Sequence, residues 1–242
     1  MSSNLLKIDP KTITVGILGY TGETGKALTK EILSRDLFKK TVLIGRRKVD
    51  YQEDFYNRAE QTVIDFDKLE EHEDAFKNLD VVYCCLGTTR AKSGVEGFRK
   101  IDFDYVNNTA VLAAKHGCKQ FHLVSSSGAD KDSSFLYPQV KGQSEEAVKN
   151  LNFENSFMYR PKLLIGTNRE EARFLERVFI GLTKPIQVVS PTLMSTPIDV
   201  LAKSMIANTI LNTDLKEKSQ IVINDKIFEA AKLYDEFIKT KQ

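Results

Sequence analysis

Short apolar runs alternate along the chain with longer stretches in which apolar side chains recur every three or four positions. Residues 13–18, 41–44, 62–64, 81–86, 121–124 and 156–159 are brief and rich in Val, Ile, Leu, Phe and Tyr, so they read as strands. Between them, residues 24–33, 69–76, 102–115 and 138–151 read as helices; in 102–115 the apolar set is Val106, Ala110, Ala113 and Ala114. This alternation predicts an α/β chain, a doubly wound parallel sheet with helices on both faces. Past Pro161 the rhythm changes. Helices are expected at 169–182, 197–211 and 225–239, with short strands at 186–189 and 220–223. We therefore expect a single domain over residues 1–242. Its nucleotide-binding core would be 12–160, and 161–242 would form a small substrate lobe over the carboxyl ends of the strands. Nothing near residue 160 resembles a flexible linker.

Composition narrows the partners. The net charge of +2 and the scatter of Lys and Arg along the chain argue against direct nucleic-acid binding. No apolar stretch is long enough for a membrane span, and the first residues lack the apolar core of a signal peptide. Cys84, Cys85 and Cys118 form neither a disulfide framework nor a zinc pattern, and a reducing compartment follows as the expectation. His72, His116 and His122 are isolated and read as surface or satisfied strand residues, so no metal site is expected. Asp130, Lys131 and Asp132 read as a solvated loop.

Gly19, Gly22 and Gly25 lie three apart, directly after a strand and directly before a helix. In that setting the first glycine permits a tight turn, the second admits a pyrophosphate, and the third lets the helix pack on the strand. The helix N-terminus then offers free N–H groups to phosphate, with Thr21 and Thr24 as hydroxyl donors. Arg46 and Arg47 follow the second strand, where a dinucleotide fold meets the adenosine ribose. Arginine there accommodates the 2′-phosphate of NADP, whereas a carboxylate would select NAD. By topology, Asp65 would meet the adenine edge, and Leu86 and Gly87 would pass beneath the cofactor.

Tyr137 and Lys141 are four apart at the start of an expected helix and so share one face. A free phenol titrates near pH ~10, and a neighbouring ammonium favours its ionised form. Tyr137 is thus a candidate proton donor, with Lys141 beside it. Ser126, within the run Ser125-Ser126-Ser127 at a strand end, is the candidate to hold a carbonyl oxygen; which of the three serines acts is left open. Pro138 disfavours helical angles at Tyr137 unless the helix begins only a few residues earlier.

With these residues in view, the chain resembles the atypical short-chain dehydrogenase/reductases, and most closely the Tat-interactive oxidoreductase family, whose fungal relatives are mitochondrial outer-membrane proteins. The marks are the run 19–25, Leu43-Ile44-Gly45-Arg46-Arg47, the run 84–90, Gly128-Ala129-Asp130-Lys131, Phe135-Leu136-Tyr137, Gln139-Val140-Lys141-Gly142 and Arg160-Pro161. The resemblance implies a Rossmann-type fold and NADPH as cofactor. It implies contacts at Thr21, Gly22, Glu23, Thr24, Arg46, Arg47, Leu86, Gly87, Tyr137, Lys141, Leu164 and Arg173, with Tyr137 as the acid. It departs at Pro138, at Lys162 and through 184–194. The expected activity is NADPH-dependent reduction of a small carbonyl compound; the alternative is an NADPH-sensing regulatory protein with little turnover. Protein partners follow only by analogy with relatives. The expected location is cytoplasmic, or else nuclear or peripheral on the mitochondrial outer membrane. The oligomeric state is left open.

Overall fold

The computed structural model describes residues 6–166, 195–211, 213 and 217–241. Seven strands form one parallel sheet: β1 (Thr14–Leu18), β2 (Lys40–Gly45), β3 (Ala59–Val63), β4 (Val81–Cys84), β5 (Gln120–Val124), β6 (Asn155–Arg160) and β9 (Ser219–Ile223). Their order is β3-β2-β1-β4-β5-β6-β9. Two shorter strands, β7 (Leu163–Ile165) and β8 (Ser195–Pro197), pair separately. The order reverses between β1 and β4, which opens a crevice at their carboxyl ends.

Both faces of the sheet are buried, so its central strands read as near-continuous apolar runs. Side chains alternate between two cores. Val15, Ile17, Val81, Tyr83, Phe157 and Tyr159 face one; Leu18, Val82, Cys84, Phe121, Leu123 and Met158 face the other. The first core is covered by α1 (Glu23–Ser34), α5 (Ile198–Ile210) and α6 (Asn224–Lys239). The second is covered by α3 (Tyr105–Lys115), with α4 (Leu136–Lys149) beside it. The α/β doubly wound architecture read from the sequence is thus the observed one.

Several boundaries differ from the expectation. β3 begins at Ala59 because a half-exposed edge strand tolerates Glu60 and Gln61, which hid it from an apolar pattern. Residues 66–76 form broken 3-10 turns, with Lys68 and His72 outside helical angles. Glu70, Glu71, Glu73 and Asp74 set like charges three and four apart, which opposes an α-helix. The helix expected from Asp102 starts instead at Tyr105, after a π turn over Lys100–Asp104. A helix that the pattern missed, α2 (Arg90–Arg99), is kinked at Gly94, whose φ of 71° is open to glycine. In the tail, β9 extends the main sheet next to β6, and α5 and α6 pack on its face, so this part of the expected lobe belongs to the central layer. The expected elements at 169–182 and 186–189, and Arg173 with them, lie outside the described residues. No described helix is long and apolar enough to cross a membrane.

A buried polar network ties α5 to the sheet. His122 Nδ1 lies 3.0 Å from the Tyr159 hydroxyl, and Asn208 donates to that hydroxyl at 3.1 Å. Thr209 Oγ1 lies 3.3 Å from His122 Nε2 and 2.6 Å from the Tyr83 hydroxyl. Full burial, aided by the charge of Lys7, pushes the His122 imidazole from 6.5 down to about 3. The unfolded chain therefore takes up a proton that the folded chain refuses. Stability is full above the unfolded value and falls as pH drops toward the folded one. Relative to His122→Gln, unfolding free energy from urea titration should fall by about 1.3 kcal/mol between pH ~7.5 and ~5.5. Parallel pH profiles for the two proteins would contradict this.

Candidate functional site

The carboxyl ends of β1, β2 and β4 surround a cleft of about 610 Å³. Its lining comes from Gly19 to Gly22, from Gly45, Arg46 and Arg47, from Cys85, Leu86, Gly87 and Thr88, and from Phe66, Ile101 and Tyr105. The glycines explain its shape. Gly19 has φ +74°, and a Cβ there would meet the Cys85 carbonyl oxygen at 2.5 Å. A Cβ on Gly25 would meet the Gly19 carbonyl oxygen at 2.2 Å, so α1 sits on β1 only because that position is bare. Gly22 is exposed and extended, and its nearest obstacle is the Gly19 oxygen at 3.4 Å. It faces the cleft rather than the fold. Gly22 also caps α1 without a side-chain bond, leaving first-turn N–H groups for an anion. Glu23, an unfavourable charge beside a phosphate, is paired with Lys26 at 2.8 Å. Thr24 is buried at the first turn of α1.

Arg46 and Arg47 are exposed, but their backbone is fixed. The Tyr20 hydroxyl donates to the Arg47 carbonyl. Gln61 accepts from Val49 N–H at 2.8 Å and donates to the Val49 carbonyl at 2.9 Å, clipping the loop to β3. Gly45 makes room for this, since a Cβ there would meet the Tyr20 ring at 2.8 Å. Asp65, expected at the adenine edge, instead accepts from Asp67 N–H at 2.9 Å, and its neighbour Phe66 lines the cleft. Leu164, on β7, packs against the core that α1 covers and does not line the described cleft.

On the far side of Gly87 lies the second constellation. α4 begins at Leu136, so Pro138 falls in its first turn and the motif keeps its helical spacing. Tyr137 is 48% exposed and stacks on Phe98 of α2, with ring centroids 5.6 Å apart. Lys141 is buried, and its Nζ pairs with Asp102 Oδ1 at 2.7 Å. Burial works against its charge, but Asp102 and Tyr137 outweigh burial and hold the ammonium above the usual lysine range. A Cβ on Gly87 would come 3.4 Å from Asp102 Oδ1 and 3.8 Å from Lys141 Nζ, so this exposed glycine sits over the ion pair.

Past β5 the chain keeps its pairing with β6: Ser125 N–H donates to the Tyr159 carbonyl at 2.8 Å and Ser127 N–H to the Pro161 carbonyl at 2.9 Å. The hydroxyls of Ser125 and Ser126 are buried and have no hydrogen-bond partner among the described residues, whereas Ser127 is exposed. Buried hydroxyls without partners are uncommon in native proteins and suit a ligand's oxygen. The loop at Asp130, Lys131 and Asp132 exposes its side chains as expected, but its backbone rests on α4. A Cβ on Gly142 would meet Lys131 N at 2.1 Å. Asp102, Phe98 and Gln61 carry no mark in the sequence reading, and Gly142 only that of a shared run. Of these, Asp102 had a usable signal, an acidic residue among apolar neighbours, once Lys141 is known to be buried. Burial pushes the Cys84 thiol up to about 12 and raises the Cys85 and Cys118 thiols as well. Among the described residues no cluster suits a metal ion.

The fit of the cleft to a dinucleotide rests on the bare glycine cradle, the uncapped helix end and the paired arginines. Comparison with known proteins agrees. The family profile described as NAD(P)H-binding matches residues 19–158. Protein HTATIP2 of Rattus norvegicus is 52% identical over 171 residues, which span 69% of this chain and 70% of that protein. Protein FMP52-1, mitochondrial, of Scheffersomyces stipitis is 31% identical over 226 residues, spanning 92% of this chain and 98% of that protein. Among solved structures, MoeE5 in complex with UDP-glucuronic acid and NAD aligns with a TM-score of 0.65 at 14% identity, covering 87% of this chain and 75% of that one. UDP-glucuronic acid 4-epimerase from Bacillus cereus in complex with NAD aligns with a TM-score of 0.64 at 14% identity, covering 87% and 78%. At such identity these two speak for the fold alone, a Rossmann architecture. With a bare glycine cradle at the β1 and β4 crevice and a family match across it, the chain belongs to the NAD(P)H-binding family and, within it, to the group that includes HTATIP2 and the FMP52 proteins.

Proposed function

We propose that the protein is an NADPH-dependent reductase of a small carbonyl compound. The observation that carries this reading is the meeting, at one edge of the sheet, of a phosphate cradle with Tyr137 one helical turn from a buried, charged Lys141. When bound, NADPH supplies the hydride that reduces the carbonyl carbon. Gly19, Gly22 and the first turn of α1 hold the pyrophosphate, and Thr21 lies where its hydroxyl can join them. Arg46 and Arg47 bind the 2′-phosphate, on a loop held in place by Tyr20 and Gln61. The carbonyl oxygen is taken up by a serine hydroxyl; Ser126 is our assignment, with Ser125 as the alternative, because both hydroxyls are buried without a partner among the described residues. Tyr137 gives its phenolic proton to that oxygen as the C–O bond loses its double character, and Lys141 stabilises the phenolate left behind. Phe98 holds the Tyr137 ring by stacking, so the hydroxyl keeps its aim while the ring edge stays accessible to substrate.

Replacing both Arg46 and Arg47 by alanine should weaken NADPH binding about a hundredfold or more in calorimetry while leaving NADH nearly unchanged. Charge-assisted hydrogen bonds contribute ~1.5–3 kcal/mol each, and exposure places these near the low end. A double variant that keeps its preference for NADPH would assign the 2′-phosphate elsewhere.

Tyr137→Phe keeps the ring and its stacking but removes the proton. In a screen of aldehydes and ketones followed by NADPH absorbance, turnover should fall ~10²–10⁴-fold, with cofactor affinity almost unchanged. Undiminished turnover in the variant would exclude Tyr137 as the acid. Tight NADPH binding with no carbonyl reduced by the wild type would favour the NADPH-sensing alternative.

A further inference from the structure

A second cavity shares the glycine turn with the dinucleotide cleft. It holds about 440 Å³, within the range that small ligands occupy, and lies between α1, the loop after β2 and the start of α5. Its wall is aromatic. Tyr51 and Tyr56 line it and stack on each other, with ring centroids 3.8 Å apart and planes 5° from parallel. Val49 continues that wall, and Ile198, 5% exposed, lines the cavity from α5. The wall is held in advance of any ligand. Gln61 bonds both the N–H and the carbonyl of Val49, and Val49, Tyr51 and Tyr56 pack against the core that α1 covers.

The lining also carries positive charge that its one carboxylate does not balance. Lys26, Lys30 and Arg47 border the cavity together with Glu23. Glu23 is taken by Lys26 at 2.8 Å. Among the described residues, neither Lys30 nor Arg47 has a carboxylate within ion-pair distance. Burial pushes the Tyr51 phenol up to about 12 and raises that of Tyr56, so neither ring carries a charge that would repel an anion at neutral pH. An aromatic wall beside two such cations matches a flat aromatic body that bears one acidic group. Tyr20, Thr21 and Arg47 border both this cavity and the cleft. A guanidinium drawn to an anion in the cavity is thereby lost to a phosphate in the cleft.

We propose that this cavity is a second ligand site, for a flat aromatic anion of the aromatic carboxylic acid class, and that its occupant competes with the 2′-phosphate of NADPH for Arg47. The ring lies against Tyr51 and Tyr56, and the acid group meets Lys30 and Arg47. The competition rests on the cofactor reading above; the site itself does not. Coupling of this kind is reciprocal, so the occupant weakens NADPH binding by the factor by which NADPH weakens its own. NADH has no 2′-phosphate and escapes the competition.

The test is calorimetry of the full chain with 2-naphthoate and with its neutral isostere 2-naphthamide. The wild type should bind the naphthoate about tenfold more tightly than the amide, the difference that one charge-assisted contact makes. Lys30→Met, at an exposed position, should weaken naphthoate about fivefold and leave the amide and NADPH unchanged. Tyr56→Leu keeps an apolar side chain but removes the ring, and should weaken both naphthalenes about fivefold. Thermal unfolding is measured alongside, and Lys30→Met carries the test if Tyr56→Leu does not fold. Saturating NADPH should weaken naphthoate about fivefold or more, and saturating NADH less than about twofold. No naphthoate binding, equal binding of naphthoate and amide, or naphthoate binding that ignores Lys30→Met would overturn the site. Equal displacement by NADH and NADPH would put the naphthoate in the cleft, and a loss of NADPH affinity in Lys30→Met would make the cavity part of the cofactor site; either overturns the proposal. Naphthoate binding that ignores NADPH would overturn the competition. A wild type that binds no NADPH would instead overturn the cofactor reading, while the amide and Lys30→Met comparisons still decide the site.

Discussion

Everything in the nucleotide half of this molecule depends on how closely a helix can approach the end of a strand. α1 rests against the turn after β1 because Gly25 has no Cβ to strike the Gly19 carbonyl. That turn rests against β4 because Gly19 has none to strike Cys85. Interiors are packed too densely to absorb such overlaps by small adjustments. The contact therefore fixes where the first turn of α1 points, and with it the place where an anion is best received. Arg46 and Arg47 reach the same cleft only because Tyr20, seated on Gly45, and Gln61 hold the loop after β2.

The other half is organised by charge in place of close contact. Asp102, Lys141 and Thr88 bring together a π turn, a helix and the loop after β4, none adjacent in sequence. The two halves meet at Gly87. The glycine turn, set by steric exclusion, and the ion pair of Asp102 and Lys141 thus lie on either side of one bare residue. The half-exposed Tyr137 ring stacks on Phe98 beside them.

How much of this was legible in the sequence follows from the range of the interactions. Strands buried on both faces announced themselves as apolar runs, and the cradle as glycines between a strand and a helix. Both signals are local. Edge strand β3 was misplaced because its residues face solvent, and 66–76 was read as a helix because apolar spacing masked the repulsion among its acidic residues. The pair at Tyr137 and Lys141 was found because four residues make one turn. Asp102 was not, because its partner lies far along the chain and its direction is set by a π turn that no residue pattern signals. Gly142 showed only as a shared mark; its reason, the backbone of Lys131 resting against it, is a tertiary contact.

The bare face of Gly22 is the place in the cleft that the fold leaves open for a dinucleotide. Gly22 suits a direct test, because its backbone is extended and a Cβ there would come no closer than 3.4 Å to the Gly19 carbonyl oxygen, its nearest neighbour beyond the adjoining residues. Gly22→Leu should therefore fold with a melting temperature close to the wild type, yet fill the space before the α1 N-terminus. Calorimetry with NADPH is the measurement. The wild type should bind and the folded variant should show no measurable binding, whereas equal affinity in the two proteins would mean that no dinucleotide lies against Gly22.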